Sequence, residues 1–118
     1  MSDIANRIVF GRIGEKDYDE IKAVIEFNTM NQELKEFCIS VAKNALKTTP
    51  DSHISYYKKL AKKIKLELEK AEKGQIWNCV VGSDYGAFIS FEKANMVYFR
   101  INEINFLIFR FGAVEGLR

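Results

Sequence analysis

Residues 76–112 read IWNCVVGSDYGAFISFEKANMVYFRINEINFLIFRFG, four short runs dense in aromatic and β-branched residues. Turn-type breaks at residues 82–84, 92–95 and 102–103 separate the runs and predict four strands of one antiparallel sheet. In the last run Ile104, Phe106 and Ile108 alternate with Asn105, Leu107, Phe109 and Phe111. A period of two therefore leaves large apolar groups on both faces, and both faces need cover.

Helical periodicity lies upstream. Residues 22–27 (KAVIEF) form a strand candidate, and Thr29 with Gln32 three positions on has the spacing of a capping box that opens a helix. In that helix Leu34, Phe37, Cys38, Val41, Ala42, Ala45 and Leu46 make one continuous apolar stripe. The run Thr48-Thr49-Pro50-Asp51-Ser52 stops it and offers caps for a second helix. The second helix puts Tyr57, Leu60, Ala61, Ile64, Leu68 and Ala71 on its core face, with Gly74 as its C′ residue. The pattern thus predicts an α+β fold with two helices on one face of the sheet. A second copy of the chain is the simplest cover for the other face. Residues 7–13 hold a further apolar run, Ile8, Phe10 and Ile13, that fits either an added edge strand or a loosely held arm.

A length of 118 residues bounds the chain to a single domain, and 47% hydrophobic with 29% charged residues excludes wholesale disorder. The net charge of +2 demands neither a nucleic acid nor an anionic membrane. No apolar run reaches the length of a membrane span, and the opening MSDIANRIVFG lacks the basic-then-apolar layout of a signal peptide, so a cytosolic protein is expected. Cys38 and Cys79 stand apart, without CxxC or His spacing, and read as buried free thiols. Beside the single His53 there is no Ser/His/Asp set, metal spacing or phosphate loop, so neither catalysis nor a cofactor or metal is expected. The second helix carries Lys58, Lys59, Lys62, Lys63, Lys65, Lys70 and Lys73 against Glu67, Glu69 and Glu72. A solvated face with i,i+4 pairing accounts for that pattern, and a basic-helix nucleic-acid surface is the alternative.

One strand, two helices and four strands, with Trp77-Asn78-Cys79-Val80-Val81-Gly82 opening the sheet, resembles the dynein light chain eight family. Residues 22–46 follow that family's first strand and first helix without a gap. Residues 77–86 keep its pattern Trp-x-Cys-(Ile/Val)-Val-Gly-x-x-(Phe/Tyr)-Gly, and Val97-Tyr98-Phe99 and Phe106-Leu107-Ile108-Phe109 with Gly112 keep the later ones. The departures are an extension over residues 1–21, a slightly longer connection near residues 49–52, and one extra residue before Trp77. On this division residues 22–112 are the light chain domain and residues 113–118 a tail.

The resemblance implies a symmetric, strand-exchanged homodimer in which residues 85–91 cross to the partner's sheet and leave an open edge for an extended peptide. It implies a groove lined by Tyr85, Gly86, Phe88, Ser90 and Phe91 on the crossing strand and by Met96, Tyr98, Arg100, Asn105 and Leu107 on the floor. Tyr56, Tyr57 and Lys58 of the partner's second helix would close it. Gly86 lets a peptide backbone approach, Ser90 keeps a hydroxyl for a ligand Gln that also reaches the amides of the second helix start, and Lys58 offers a charge to acidic positions. Here Phe91 stands for a family His, Arg100 for a Tyr, Asn105 for an Ala, Tyr57 for a Glu and Ser90 for a Thr. These changes predict weak binding of the family's Thr-Gln-Thr motif and better binding of an acidic ligand. Asn78 replaces a His that faces its own symmetry mate, so no His-protonation switch of dimerisation is expected. Phe111 replaces a Ser, so no phosphorylation is expected there.

The implied function is that of a non-catalytic dynein light chain, cytoplasmic or axonemal, gathering intermediate chains or other disordered partners on the cytoskeleton. A dimerisation hub unrelated to dynein, and a nucleic-acid binder of the same fold, are the alternatives. No small-molecule substrate and no membrane is expected.

Overall fold

The computed structural model describes residues 20–51, 55–83 and 94–111. Its elements run β1 (Val24–Asn28), α1 (Gln32–Thr48), α2 (Tyr56–Ala71), β2 (Trp77–Gly82), β3 (Ala94–Ile101) and β4 (Ile104–Phe111). The strands form one sheet in the order β1-β3-β4-β2, with every pair antiparallel. Three of the four expected strands of residues 76–112 are therefore present, and β1 completes the sheet. The expected crossing strand at residues 85–91, the run at residues 7–13 and the tail lie outside the described residues.

The apolar stripe of α1 faces inward as its spacing predicts: Cys38, Ala42, Ala45 and Leu46 are buried, and Leu34, Phe37 and Val41 pack against them. The start of α1 differs from expectation. Asn31, not Thr29, is the N-cap, its Oδ1 accepting the Leu34 N–H at 2.8 Å. Thr29 is drawn into the sheet instead, where its N–H donates to the Met96 carbonyl at 2.8 Å and its hydroxyl accepts the Met96 N–H at 2.9 Å. Between the two, Asn28 accepts the Met30 N–H at 2.9 Å and donates back to the Met30 carbonyl, closing a tight turn. Gln32 bonds Glu36 one turn on rather than the helix start.

In α2, Leu60, Ile64 and Leu68 are fully buried, but Tyr57 and Ala71 at the two ends are exposed. Tyr56 takes the core-facing place that the spacing assigned to Tyr57, and the two rings lie 5.8 Å apart. The N-cap of α2 is Ser55, at φ 58 and without a side-chain cap bond, so residues 48–52 end α1 but do not cap α2. At the other end Glu72 is the C-cap, and Gly74 lies two residues beyond it rather than at C′. There, at φ 89, it occupies the third position of a turn closed by the Gln75 N–H on the Glu72 carbonyl at 3.2 Å.

Strand register sorts the sheet into two faces, because residues directly paired across antiparallel strands point the same way. On the helix side one row holds Ile25, Phe99, Phe106 and Val81, and the next holds Val97, Ile108 and Cys79. Phe99, Phe106, Val97, Ile108 and Trp77 are fully buried against α1 and α2, with the Phe99 and Phe106 rings stacked at 5.1 Å. Each such side chain contributes about 1.5–3 kcal/mol of transfer free energy.

Polar contacts tie α2 to the first residue of β2. Lys65 Nζ lies 2.5 Å from Glu69 Oε2 and donates to the Trp77 carbonyl at 2.8 Å, while Glu69 accepts the Trp77 N–H at 3.2 Å. The Lys65 hydrogen bond, then that of Trp77, hold the Glu69 carboxyl below the usual carboxylate range. Over the indole, the Arg110 guanidinium sits 5.4 Å from the ring centroid and donates to Glu72 at 2.6 Å.

Candidate functional site

The opposite face of the same sheet carries the floor residues. Register pairs Arg100 with Asn105, Tyr98 with Leu107 and Met96 with Phe109. All five floor positions named from sequence, Met96, Tyr98, Arg100, Asn105 and Leu107, thus stand on one face and away from the helices. Extending the rows to the edge strands adds Val24 and Gly82 beside Arg100 and Asn105, and Phe27 and Val80 beside Tyr98 and Leu107. Phe27, Tyr98, Leu107 and Val80 form an unbroken apolar and aromatic row across all four strands. Neighbouring strands are about 4.8 Å apart, so the row is roughly 14 Å wide.

Exposure is graded across the floor. Leu107 and Met96 in the middle strands are buried, whereas Phe27 is 50% and Val80 44% exposed, with Val24 beside them at 43%. The polar pair Arg100 and Asn105 lies one row over. Arg100 Nη1 donates to the Asn102 carbonyl at 3.2 Å, which steers the head group toward the β3–β4 hairpin. That hairpin has two loop residues, and its first, Asn102, holds the left-handed φ of 56 that the tight reversal requires. Asn105 Nδ2 donates to the Ser83 carbonyl at 3.1 Å, anchoring the end of β2.

Tyr56, Tyr57 and Lys58 open α2, which packs on the other side of the sheet from the floor. Within one chain they do not meet Tyr98, Arg100 or Leu107. The remaining expected groove residues, Tyr85, Gly86, Phe88, Ser90 and Phe91, lie outside the described residues.

Sequence reasoning missed Phe27 and Val24. Strict alternation puts Val24 and Phe27 on opposite faces, but a bulge between Ile25 and Phe27 inserts a residue and brings both to the floor side. Nothing in KAVIEF marks that bulge. Val80 was legible, since a period of two from Trp77 puts it opposite the core positions.

Three further groups bear on the chemistry. Glu67 pairs with Lys70 at 3.6 Å and Glu69 with Lys65, so both acids of α2 have a lysine partner on the basic face, and the C-cap Glu72 pairs with Arg110 of β4. Both cysteines are free. Burial pushes the Cys38 and Cys79 thiols up to about 12, with Glu72 adding to the shift at Cys38 and Cys38 to that at Cys79, so neither is a nucleophile near neutral pH. Among the described residues no cluster of His, Cys, Asp and Glu has the grouping of a metal site, and no helix is long and apolar enough to cross a membrane.

Comparison with known proteins bears on the same residues. The family profile described as Dynein light chain type 1 matches residues 22–111. The chain belongs to the dynein light chain family. A dynein light chain of Schistosoma mansoni is 32% identical over 93 residues, covering 79% of this chain and 98% of that protein. Cytoplasmic dynein light chain 1 of Saccharomyces cerevisiae is 26% identical over 94 residues, or 80% of this chain and 96% of that one. Among solved structures, the dynein light chain-like domain of the Fasciola hepatica calcium binding protein FhCaBP2 superposes with a TM-score of 0.63 at 20% identity, covering 79% of this chain and 94% of that one. That likeness supports the fold. Dynein light chains of this family are non-catalytic structural adaptors, and this light chain is one of them by its match over residues 22–111.

Proposed function

We propose that this dynein light chain works as a homodimeric adaptor in a dynein motor, holding extended segments of intermediate chains or other disordered partners by β-strand addition. The observation that carries the reading is the floor row Phe27-Tyr98-Leu107-Val80, apolar across four strands and exposed at Phe27 and Val80, on the face away from α1 and α2. A second protomer facing this row buries Phe27 and Val80, and its Tyr57 and Lys58 close the groove that the first chain's α2, packed on the other face of the sheet, cannot reach. Family membership supports the same arrangement. Residues 85–91 are then the strand exchanged between protomers, with Tyr85, Gly86, Phe88, Ser90 and Phe91 presenting the peptide edge. Two identical sites make the second contact of a bivalent partner intramolecular, at effective concentrations on the order of mM, so weak single sites suffice. The relatives named cytoplasmic support a cytoplasmic location.

Arg100 opposite Asn105 favours ligands with an acidic group at that position over the Thr-Gln-Thr motif of the family. Calorimetry against a peptide array tests the reading in two stages. Gly86→Val is expected to abolish peptide binding while the dimer persists by light scattering. Arg100→Tyr is expected to lower affinity for acidic peptides and raise it for Thr-Gln-Thr. A monomer at micromolar concentration removes the adaptor reading, whereas tight Thr-Gln-Thr binding that ignores Arg100 removes only the shifted preference.

A further inference from the structure

Strand β1 is bonded on one side only among the described residues, and all five of its residues are exposed. Its apolar groups lie on both faces: Ile25 (38% exposed) toward the helices, and Val24 and Phe27 toward the floor. Edge strands usually carry several charges, a Pro, or a cover that discourages pairing with another chain. Here Glu26, at the bulge, is the one charged residue of the strand. An edge of this composition, apolar above and below, fits a partner strand that is itself apolar on both faces.

We propose that residues 7–13 of this same chain are that partner, pairing antiparallel with the free edge of β1 as a fifth strand. The run Arg7-Ile8-Val9-Phe10-Gly11-Arg12-Ile13 alternates so that Ile8 and Phe10 share one face and Val9 and Ile13 the other. Both faces thus offer apolar groups to the two sides of β1. Arg7 and Arg12 flank Ile8–Gly11 and complement Glu26, and Gly11 leaves room for backbone approach at the bulge. The tether suffices: Ile21 and Ala23 pack against the core, and residues 14–20 span up to about 23 Å against a β1 length of about 17 Å. A second copy is a poorer occupant. Two β1 edges paired about a twofold axis set Glu26, the middle residue of the strand, against its own mate. The inference is independent of peptide binding, because the proposed peptide edge belongs to residues 85–91 and not to β1.

Hydrogen exchange on the full chain tests this at the β1 amides. The double variant Ile8→Asp/Phe10→Asp is expected to speed exchange over Val24–Asn28 on the order of tenfold, with residues 97–101 and 104–108 unchanged. Gly11→Pro is expected to do the same, since it interrupts strand pairing while keeping the apolar groups. Exchange at β1 that is identical in wild type and both variants overturns the proposal. Protection that survives Gly11→Pro but not the double variant overturns strand pairing in favour of side-chain cover. Protection that falls on dilution equally in all three chains identifies a second copy as the occupant and overturns it as well.

Discussion

The two faces of this sheet are built from the same strands and similar side chains, yet they behave differently. On the helix side Phe99, Phe106, Val97 and Ile108 are fully buried by α1 and α2 of the same chain. On the floor side burial is confined to Met96 and Leu107 in the middle strands, and it gives way to exposed Phe27 and Val80 at the edges. Hydrophobic content does not separate the faces; cover does. The helix face serves the stability of one chain, and the floor is the surface proposed above for docking a second protein.

That contrast is most sharply tested at neighbouring positions. Phe106→Ala, on the helix face, is expected to cost about 3–5 kcal/mol in denaturant unfolding, through lost transfer and a cavity beside the Phe99 ring. Val80→Asp, on the floor, is expected to leave unfolding of the isolated chain within about 0.5 kcal/mol. The same change should raise the dissociation constant of the proposed dimer about thirtyfold, roughly 2 kcal/mol, because it would place a carboxylate in an apolar contact. Sedimentation across a dilution series reads the second effect. Equal penalties for the two changes, with no change in association, would show that the faces do not divide the work in this way.

Smaller effects sharpen the helix side. Asn31→Ala removes the bond to the Leu34 N–H and should cost about 1 kcal/mol, whereas Thr29→Ala should act on the β1–β3 junction, raising exchange at Met96. The least of these is a pH effect. Because Glu69 has its carboxyl depressed by Lys65 and the Trp77 N–H, its contribution is present above the unfolded value of about 4.3 and is lost as pH falls through the lower folded value. Glu69→Gln should therefore flatten the acid limb of the stability curve below that value while changing the alkaline limb little. An acid limb that is unaltered would mean the Lys65 and Trp77 contacts do not persist in solution.

Much of this was legible in the chain. Period-two alternation in residues 104–109 foretold both faces, and the stripe from Leu34 to Leu46 foretold how α1 lies. The floor residues Met96, Tyr98, Arg100, Asn105 and Leu107 were assigned by resemblance, and the register puts all five on one face. What escaped reading were positions where a local rule met a long-range partner. Thr29 has the chemistry of a cap, but Met96, 67 positions away in sequence, holds its hydroxyl. Asn31 was left to cap α1. The β1 bulge reversed the side on which Phe27 falls, and parity of this kind depends on pairing with β3 rather than on the strand's own composition. Tyr56 and Tyr57 exchanged roles because helix ends allow a choice of which aromatic turns inward.

The chain has one tryptophan, and Trp77 is wholly buried on the helix side beneath the Arg110 guanidinium. Its emission is therefore a one-sided optical probe: it will shift when α2 and the sheet come apart, and it will stay silent when a partner or peptide loads the floor. Fluorescence from this residue can follow folding in the presence of a ligand that lacks tryptophan, and a fluorophore placed at Val80 would supply the complementary signal.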